Sequence, residues 1–358
     1  SRPARARIDL DALRHNLRLA RAMAGPARLL AVIKANAYGH GAVPVARVLE
    51  GEADALGVAC LEEALELRDS GVRAPVLLME GPFSPDEIRL ADRQGLALVI
   101  HSRQQVAWVL EARPQRPLAC WIKVDTGMHR IGLDPSDLPE VYANLREAPQ
   151  VGELVLMTHF ARADEPGHPA TRDQIARFAQ ACAGLGGRRS LANSAGLLAW
   201  PDGLADWVRP GLILYGVSPM AAEPPSAHGL RPVMHLESAL IAVRDLGPGE
   251  PVGYGGRFVC PAPMRVGVVA LGYADGYPRQ APDGTPVAVA GGIARLIGWV
   301  SMDMLMVDLT GRDDVRIGDP VELWGSQVSV QAVARVSGTI PYQLLTGVGG
   351  RVPRVYQG

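Results

Sequence analysis

At 358 residues the chain suits one large domain plus a smaller one better than a single small core. Its 37 acidic and 36 basic side chains nearly cancel, which argues against a nucleic-acid or anionic-membrane partner. No run approaches the ~18 apolar residues of a membrane span, and the charged N-terminus has no apolar stretch behind it, so neither a span nor a signal peptide is expected. The four cysteines, Cys60, Cys120, Cys182 and Cys260, form no CxxC pair. Reduced thiols in a cytoplasmic protein are the expectation, with no metal site.

Short apolar runs occur at 29–34, 55–60, 75–80, 96–101, 118–125, 151–159, 190–193 and 207–209. Between most of them lie stretches with apolar residues three or four apart: 61–70, 86–94, 104–113, 138–147 and 172–185. Continuous apolar strands alternating with helices predict a parallel sheet covered on both faces. Eight such units predict an α/β fold of the (β/α)₈ TIM-barrel type. After Pro232 the texture changes to strand-like runs at 235–246, 265–272, 285–290, 294–309, 315–323 and 351–356, with one helical stretch at 329–336. This predicts a barrel over 1–230 and a smaller, mainly β domain over 231–358, divided within the Pro- and Ala-rich residues 219–232.

Of the 36 basic residues only Lys34 and Lys123 are lysine. Where a permanent charge suffices, this chain uses arginine. The two lysines are therefore candidates for chemistry that needs a nitrogen able to lose its proton. Both end apolar runs, as do Glu80, His101, Asp125, His159, Asn193 and Arg209. In such a barrel the strand C-terminal ends form the mouth where chemistry sits, so these groups should converge there.

Lys34 stands in Ala31-Val32-Ile33-Lys34-Ala35-Asn36-Ala37-Tyr38-Gly39-His40-Gly41. This segment resembles the cofactor-lysine motif of the bacterial alanine racemases, barrel-type pyridoxal 5′-phosphate enzymes, and the resemblance extends over essentially the whole chain. It implies that Lys34 carries the cofactor and that the Tyr38 hydroxyl meets its phosphate, joined by Ser194 and the backbone N–H groups of Gly211 and Leu212. Taken alone, Asn193-Ser194-Ala195 and Arg209-Pro210-Gly211 would read as turns. The resemblance also implies that His159 lies near the cofactor ring and that Arg209 faces the pyridine nitrogen. An arginine cannot hand that nitrogen a proton, so the ring is a weaker electron sink, which favours racemisation over transamination.

The segment Trp121-Ile122-Lys123-Val124-Asp125-Thr126-Gly127-Met128-His129-Arg130 resembles the family stretch in which the arginine pairs with substrate carboxylate. In several members its lysine is carbamylated, and the resemblance implies the same for Lys123, with a Lys123–Asp125 ion pair as the alternative. Gly253-Tyr254-Gly255-Gly256 resembles the segment of the catalytic tyrosine. Lys34 and Tyr254 would then act as the two bases, with Arg130 poising the phenol. Tyr273 matches the tyrosine that narrows the substrate entrance. Met302, in Ser301-Met302-Asp303, matches the residue whose backbone N–H holds the substrate carboxylate.

In the family these β-domain groups come from the partner subunit, which implies a homodimer with shared active sites. One position departs from the pattern: Gly350 stands where some members have a tyrosine of the phosphate site and entrance. The resulting expectation is an isomerase, an alanine racemase family member interconverting L- and D-alanine for peptidoglycan or for alanine breakdown. A barrel-type decarboxylase and a non-catalytic cofactor-binding protein are the alternatives.

Overall fold

The structure is a computed structural model that describes residues 2–220, 223–224 and 227–358. Strand β1 (Arg5–Asp9) leads into a helix at Leu10–Ala24. Eight parallel strands then close into a barrel. They are β2 (Arg28–Val32), β3 (Ala55–Val58), β4 (Val76–Leu78), β5 (Leu96–Ile100), β6 (Leu118–Lys123), β7 (Val151–Met157), β8 (Arg188–Asn193) and β9 (Trp207–Arg209). Strands β3 and β4 are buried at every position, as strands lined by the barrel core on one side and helices on the other must be. The expected helices are present at Leu61–Asp69, Pro85–Gln94, Arg103–Glu111, Leu138–Glu147 and Ala170–Ala181.

The second sheet comprises β10 (Met234–Leu246), β13 (Met264–Val269), β14 (Pro286–Val289), β15 (Gly292–Ile297), β16 (Leu305–Asp308), β17 (Pro320–Trp324) and β18 (Arg354–Gln357). A separate hairpin, β11 (Pro251–Val252) with β12 (Phe258–Val259), projects after β10. The pairings run β10–β13–β16–β15–β14–β17 and return to β10, so six strands form a ring. The long β10 pairs β17 with its first half and β13 with its second, bending at the register shift between Leu240 and Ala242.

Strand β1 belongs to this second sheet, between β10 and β18. Its alternation places Ala6 and Ile8 in the core, while Arg5 and Arg7 both reach Glu237 at 2.9 and 2.8 Å. The chain's first strand thus crosses the division expected at 230/231. Of the residues 219–232 expected to hold that division, 221, 222, 225 and 226 lie outside the described residues. The run 294–309, expected as one strand, is the antiparallel pair β15–β16, because the Ser301 N–H and hydroxyl both turn back to the Met304 carbonyl. The four cysteines are free, and among the described residues no helix is long and apolar enough to cross a membrane.

Candidate active site

Seven of the eight barrel strands, all but β3, deliver a polar residue to the same end. Lys34, Glu80, His101, Lys123, His159, Asn193, Ser194 and Arg209 line one cavity of about 830 Å³. Tyr38, Arg130, Gly211 and Leu212 line it too, as do Ile340 and Tyr342 from the C-terminal part of the chain. Lys34, Lys123, Arg130 and Arg209 give this cavity four basic side chains, against Glu80 as the acid in its lining. That imbalance suits an anionic occupant.

The loop that follows Lys34 is wound the wrong way for L-residues. Ala35, Asn36, Ala37 and Tyr38 have φ of 52, 54, 52 and 52°, a left-handed turn closed by Ala37 N–H to Ile33 O (2.8 Å) and Gly39 N–H to Ala35 O (3.0 Å). Such backbone costs about 1–2 kcal/mol per residue, so the surroundings must hold it. Glu63 accepts the Ala35 N–H (2.8 Å) with one oxygen and the Ala59 N–H (2.7 Å) with the other. Asn36 Oδ1 accepts the Ala42 N–H at 2.7 Å. From strand β18, Arg354 Nε donates to Gly39 O (3.1 Å) and the Tyr356 hydroxyl donates to His40 O (3.1 Å). Gly41, at φ 102°, is required twice over, since a Cβ there would also collide with that hydroxyl.

His40 Nδ1 lies 2.9 Å from both Ala37 O and Tyr38 O, so the ring proton sits on Nδ1. Burial pushes its pKa down to about 4 against the pull of those carbonyls, so it is neutral. The ring stacks on Tyr215, which stacks on Tyr38 (centroids 4.5 and 4.8 Å), and Tyr215 donates to Val32 O at 2.9 Å. This aromatic stack fixes where the Tyr38 hydroxyl ends.

Arg209 is 2% exposed. One terminal nitrogen donates to Ser190 Oγ (2.5 Å); the other donates to Thr158 O (2.8 Å) and Leu191 O (3.2 Å) and lies 3.4 Å from His159 Nδ1. Its Nε–H is buried with no acceptor among the described residues. Burial lowers its pKa to about 10, still well above neutrality. Burial and then Arg209, Lys123, Arg130 and Lys34 push His159 well below its usual range, so it is neutral. Burial, followed by Arg209, Arg130 and Lys34, brings Lys123 down to about 7. Lys34 is lowered by burial and by Arg130. Asp125 is bound instead to His129 (3.1 Å) and to the Gly127 and His129 N–H groups, and forms no ion pair with Lys123 among the described residues.

Ser194 and Gly211 meet each other directly. The Gly211 N–H donates to Ser194 Oγ at 2.9 Å, with Ile213 N–H at 3.5 Å, so the serine hydroxyl collects these amides rather than standing beside them.

Tyr254, Tyr273 and Met302 are not brought to this cavity. They are 73, 38 and 53% exposed on the β domain. Tyr254 caps the β11–β12 hairpin, while Tyr273 and Ala274 donate to Ser301 O and Met302 O (3.0 Å each), so Tyr273 and Met302 form one wall. Gly350 faces open space outside the cavity lining. The tyrosine this part of the chain does supply is Tyr342, with its ring 5.9 Å from that of Tyr38. Sequence reasoning passed over Tyr342, whose one signal was a proline opening a helix at Pro341–Thr346. It also passed over Glu63, whose bracing only the fold displays.

The chain matches the sequence profile described as "Alanine racemase, N-terminal domain" over residues 8–219 and that of "Alanine racemase, C-terminal domain" over 233–356. It belongs to the alanine racemase family. An alanine racemase of Pseudomonas taetrolens is 56% identical over 357 residues, covering 100% of this chain and 99% of the relative. A protein of Pseudomonas putida named as a catabolic alanine racemase is also 56% identical, with the same coverage. Among solved structures, the biosynthetic alanine racemase of Pseudomonas aeruginosa superposes with a TM-score of 0.97 at 49% identity over 100% of both chains. That of Acinetobacter baumannii gives 0.94 at 38%, again over both whole chains. Both portions of the fold, barrel and β sheet, are therefore those of the family.

Proposed function

We propose that this protein is a pyridoxal 5′-phosphate-dependent isomerase that interconverts L- and D-alanine by proton transfer at Cα, acting in the cytoplasm as a homodimer with shared active sites. The observation that carries the reading is the buried Arg209 Nε–H, a donor without an acceptor at the edge of a cation-lined cavity. An unmet buried donor is costly, and a pyridine nitrogen with its lone pair would meet it.

The rest of the cavity fits the same group. The Tyr38 hydroxyl, the Ser194 hydroxyl, Gly211 and Leu212 would hold the phosphate, with the Gly211 N–H acting through Ser194. Lys34, whose proton is loosened by burial and by Arg130, would carry the cofactor. His159, neutral, would lie beside the ring. When bound, the cofactor supplies an electron-withdrawing ring that makes the alanine Cα–H acidic.

The chain's own groups do the remaining work. Arg130 would hold the substrate carboxylate, aided by the Met302 backbone N–H of the partner subunit. Lys34 would take or return a proton on one face of Cα, and Tyr254 of the partner subunit on the other, with the partner's Tyr273 narrowing the entrance. The exposure of Tyr254, Tyr273 and Met302, and their absence from this chain's own cavity lining, support a contribution to a second copy. Lys123 would be carbamylated. Its neutral amine adds to the carbon of carbon dioxide: one N–C bond forms, one C=O π bond opens with its electron pair moving to oxygen, the nitrogen releases a proton to solvent, and the resulting carbamate anion braces Arg130.

The test is to incubate the purified, cofactor-loaded protein with L-alanine in deuterated water. Loss of optical rotation together with deuterium at Cα is expected. Cofactor binding without Cα exchange would sink the catalytic reading.

A further inference from the structure

The wall made by Tyr273 and Met302 hangs on one carboxylate. Asp275 has no exposed side-chain surface, yet it ends the turn that begins with Tyr273. Its Oδ1 accepts from Arg2 NH1 (2.5 Å) and faces Arg351 Nε (3.0 Å). Its Oδ2 accepts from Arg2 NH2 (2.6 Å) and from the Gly272 N–H (2.8 Å). The two guanidiniums continue to the neighbouring loop: Arg2 NH2 donates to Asp303 O (3.1 Å) and Arg351 NH2 to Asp303 Oδ1 (2.5 Å). Two carboxylates and two guanidiniums therefore close a neutral cluster that joins residues 272–275 to residues 301–303. Burial alone would push the Asp275 carboxyl up, but Arg2, the Gly272 N–H and Arg351 hold it below the usual range.

Arg2 comes from the segment before β1, and Arg351 from the segment before β18, so two strands flanking one another in the second sheet each send an arginine to the same point. Neither arginine lines the Lys34 cavity. The cluster also reaches back towards that cavity through the main chain, because the Gly349 N–H donates to Asp275 O at 3.2 Å, a few residues after the helix that carries Tyr342.

We propose that Arg2 is a positioning residue for substrate binding. With Arg351, it locks Asp275 so that the Tyr273 turn and the Met302 backbone keep one spacing. The bidentate fork matters because it grips both carboxylate oxygens and the Asp303 carbonyl at once, which a single ammonium cannot do. The inference rests on the proposed function, in which this wall faces the substrate carboxylate of a second copy.

Asp275→Asn is a poor first test, since a fully buried residue with two cationic partners would risk the fold. Arg2 is part-exposed and is the variant of choice. For Arg2→Ala, KM for alanine should rise about tenfold, the scale of one lost charge-assisted contact, with kcat changed by less than about threefold. Arg2→Lys should fall between the variant and the parent. Hydrogen exchange on the cofactor-loaded protein should quicken at 272–276 and 301–304 in Arg2→Ala, with the barrel strands unchanged. A KM within about twofold of the parent, whatever happens to Tm, overturns the proposal. Unchanged exchange at those two segments overturns it as well. If the parent does not racemise alanine, the functional reading fails by itself, and the exchange measurement still decides whether Arg2 holds the wall.

Discussion

The hydroxyl of Tyr38 occupies the space where a side chain on Gly211 would begin: a Cβ built on Gly211 falls 2.5 Å from it. Two segments far apart in sequence, the left-handed loop after β2 and the turn after β9, are thereby brought into contact at the corner assigned to the cofactor phosphate. Gly211 has φ of −125°, outside the left-handed region, and the constraint that Tyr38 places on it is one of space.

Gly211→Ala should therefore fold and yet bind pyridoxal 5′-phosphate poorly. The Tyr38 hydroxyl must shift, and it cannot shift freely while its ring is stacked on Tyr215 at 4.8 Å. We expect the cofactor Kd to rise by about tenfold to a hundredfold, corresponding to the loss of one or two well-placed polar contacts. Titrating apoprotein with cofactor and following its absorbance checks this; an unchanged Kd would place the phosphate elsewhere.

Lys34→Ala should lose the borohydride-trappable cofactor link and reduce racemisation by more than about 10³-fold, since in the proposed function one residue is both attachment point and proton carrier. A reducible adduct that persists in this variant would move the role to Lys123. Lys34 is also the residue for which the loop's strain is explained, because Glu63 grips the amide directly after it. Glu63→Gln should keep the fold while weakening that grip.

The barrel and the identity of its mouth were legible because they follow from short-range rules. Apolar runs bounded by helical periodicity became β2 to β9, and seven of the eight runs brought a polar residue to the cavity. What stayed hidden depends on the third dimension. Nothing within Ala35-Asn36-Ala37-Tyr38 itself asks for a left-handed turn; it is held from two other parts of the chain, by Glu63 at Ala35 and by Arg354 and Tyr356 of β18 at Gly39 and His40. Strand β1 gives no sign in its five residues that its partners lie more than 200 positions away. Tyr342 has no motif around it. The flanking glycines did point to an accessible phenol at Tyr254, which is 73% exposed, and the resemblance implied that it serves a partner's cavity, but no short-range rule says which chain's cavity it serves.

That last point can be settled by mixing. Lys34→Ala and Tyr254→Phe should each be inactive or nearly so. In a symmetric dimer with shared sites, random reassortment of equal pools makes half the dimers mixed. One of the two sites in each mixed dimer is intact, so about a quarter of parental activity should return. No recovery despite demonstrated subunit exchange would mean that both residues act from one chain. Tyr254→Phe alone should slow proton removal from one enantiomer far more than from the other. Equal slowing would reduce the tyrosine to a positioning role.

The carbamylation proposed for Lys123 would have a defined pH dependence. Its pKa is brought from the ordinary lysine range to about 7 by burial and then by Arg209, Arg130 and Lys34, so the neutral amine predominates above that value. Because the folded pKa lies below the unfolded one, the folded chain binds fewer protons between about pH 7 and 10. Any stability cost of burying the charged lysine is thus present below pH 7 and is relieved as pH rises. Carbon dioxide reacts only with the neutral form. At constant carbon dioxide pressure, activity of protein first stripped of it at pH 6 should therefore recover at pH 8 and not at pH 6. Isotopically labelled carbon dioxide should give a carbamate carbon resonance that Lys123→Ala lacks. That variant should lose most activity, and acetate, by supplying an anion beside Arg130, should restore part of it. A parent without the resonance and a variant that acetate does not help would leave Lys123 as a neutral amine whose role is to spare Arg130 and Arg209 a further positive charge.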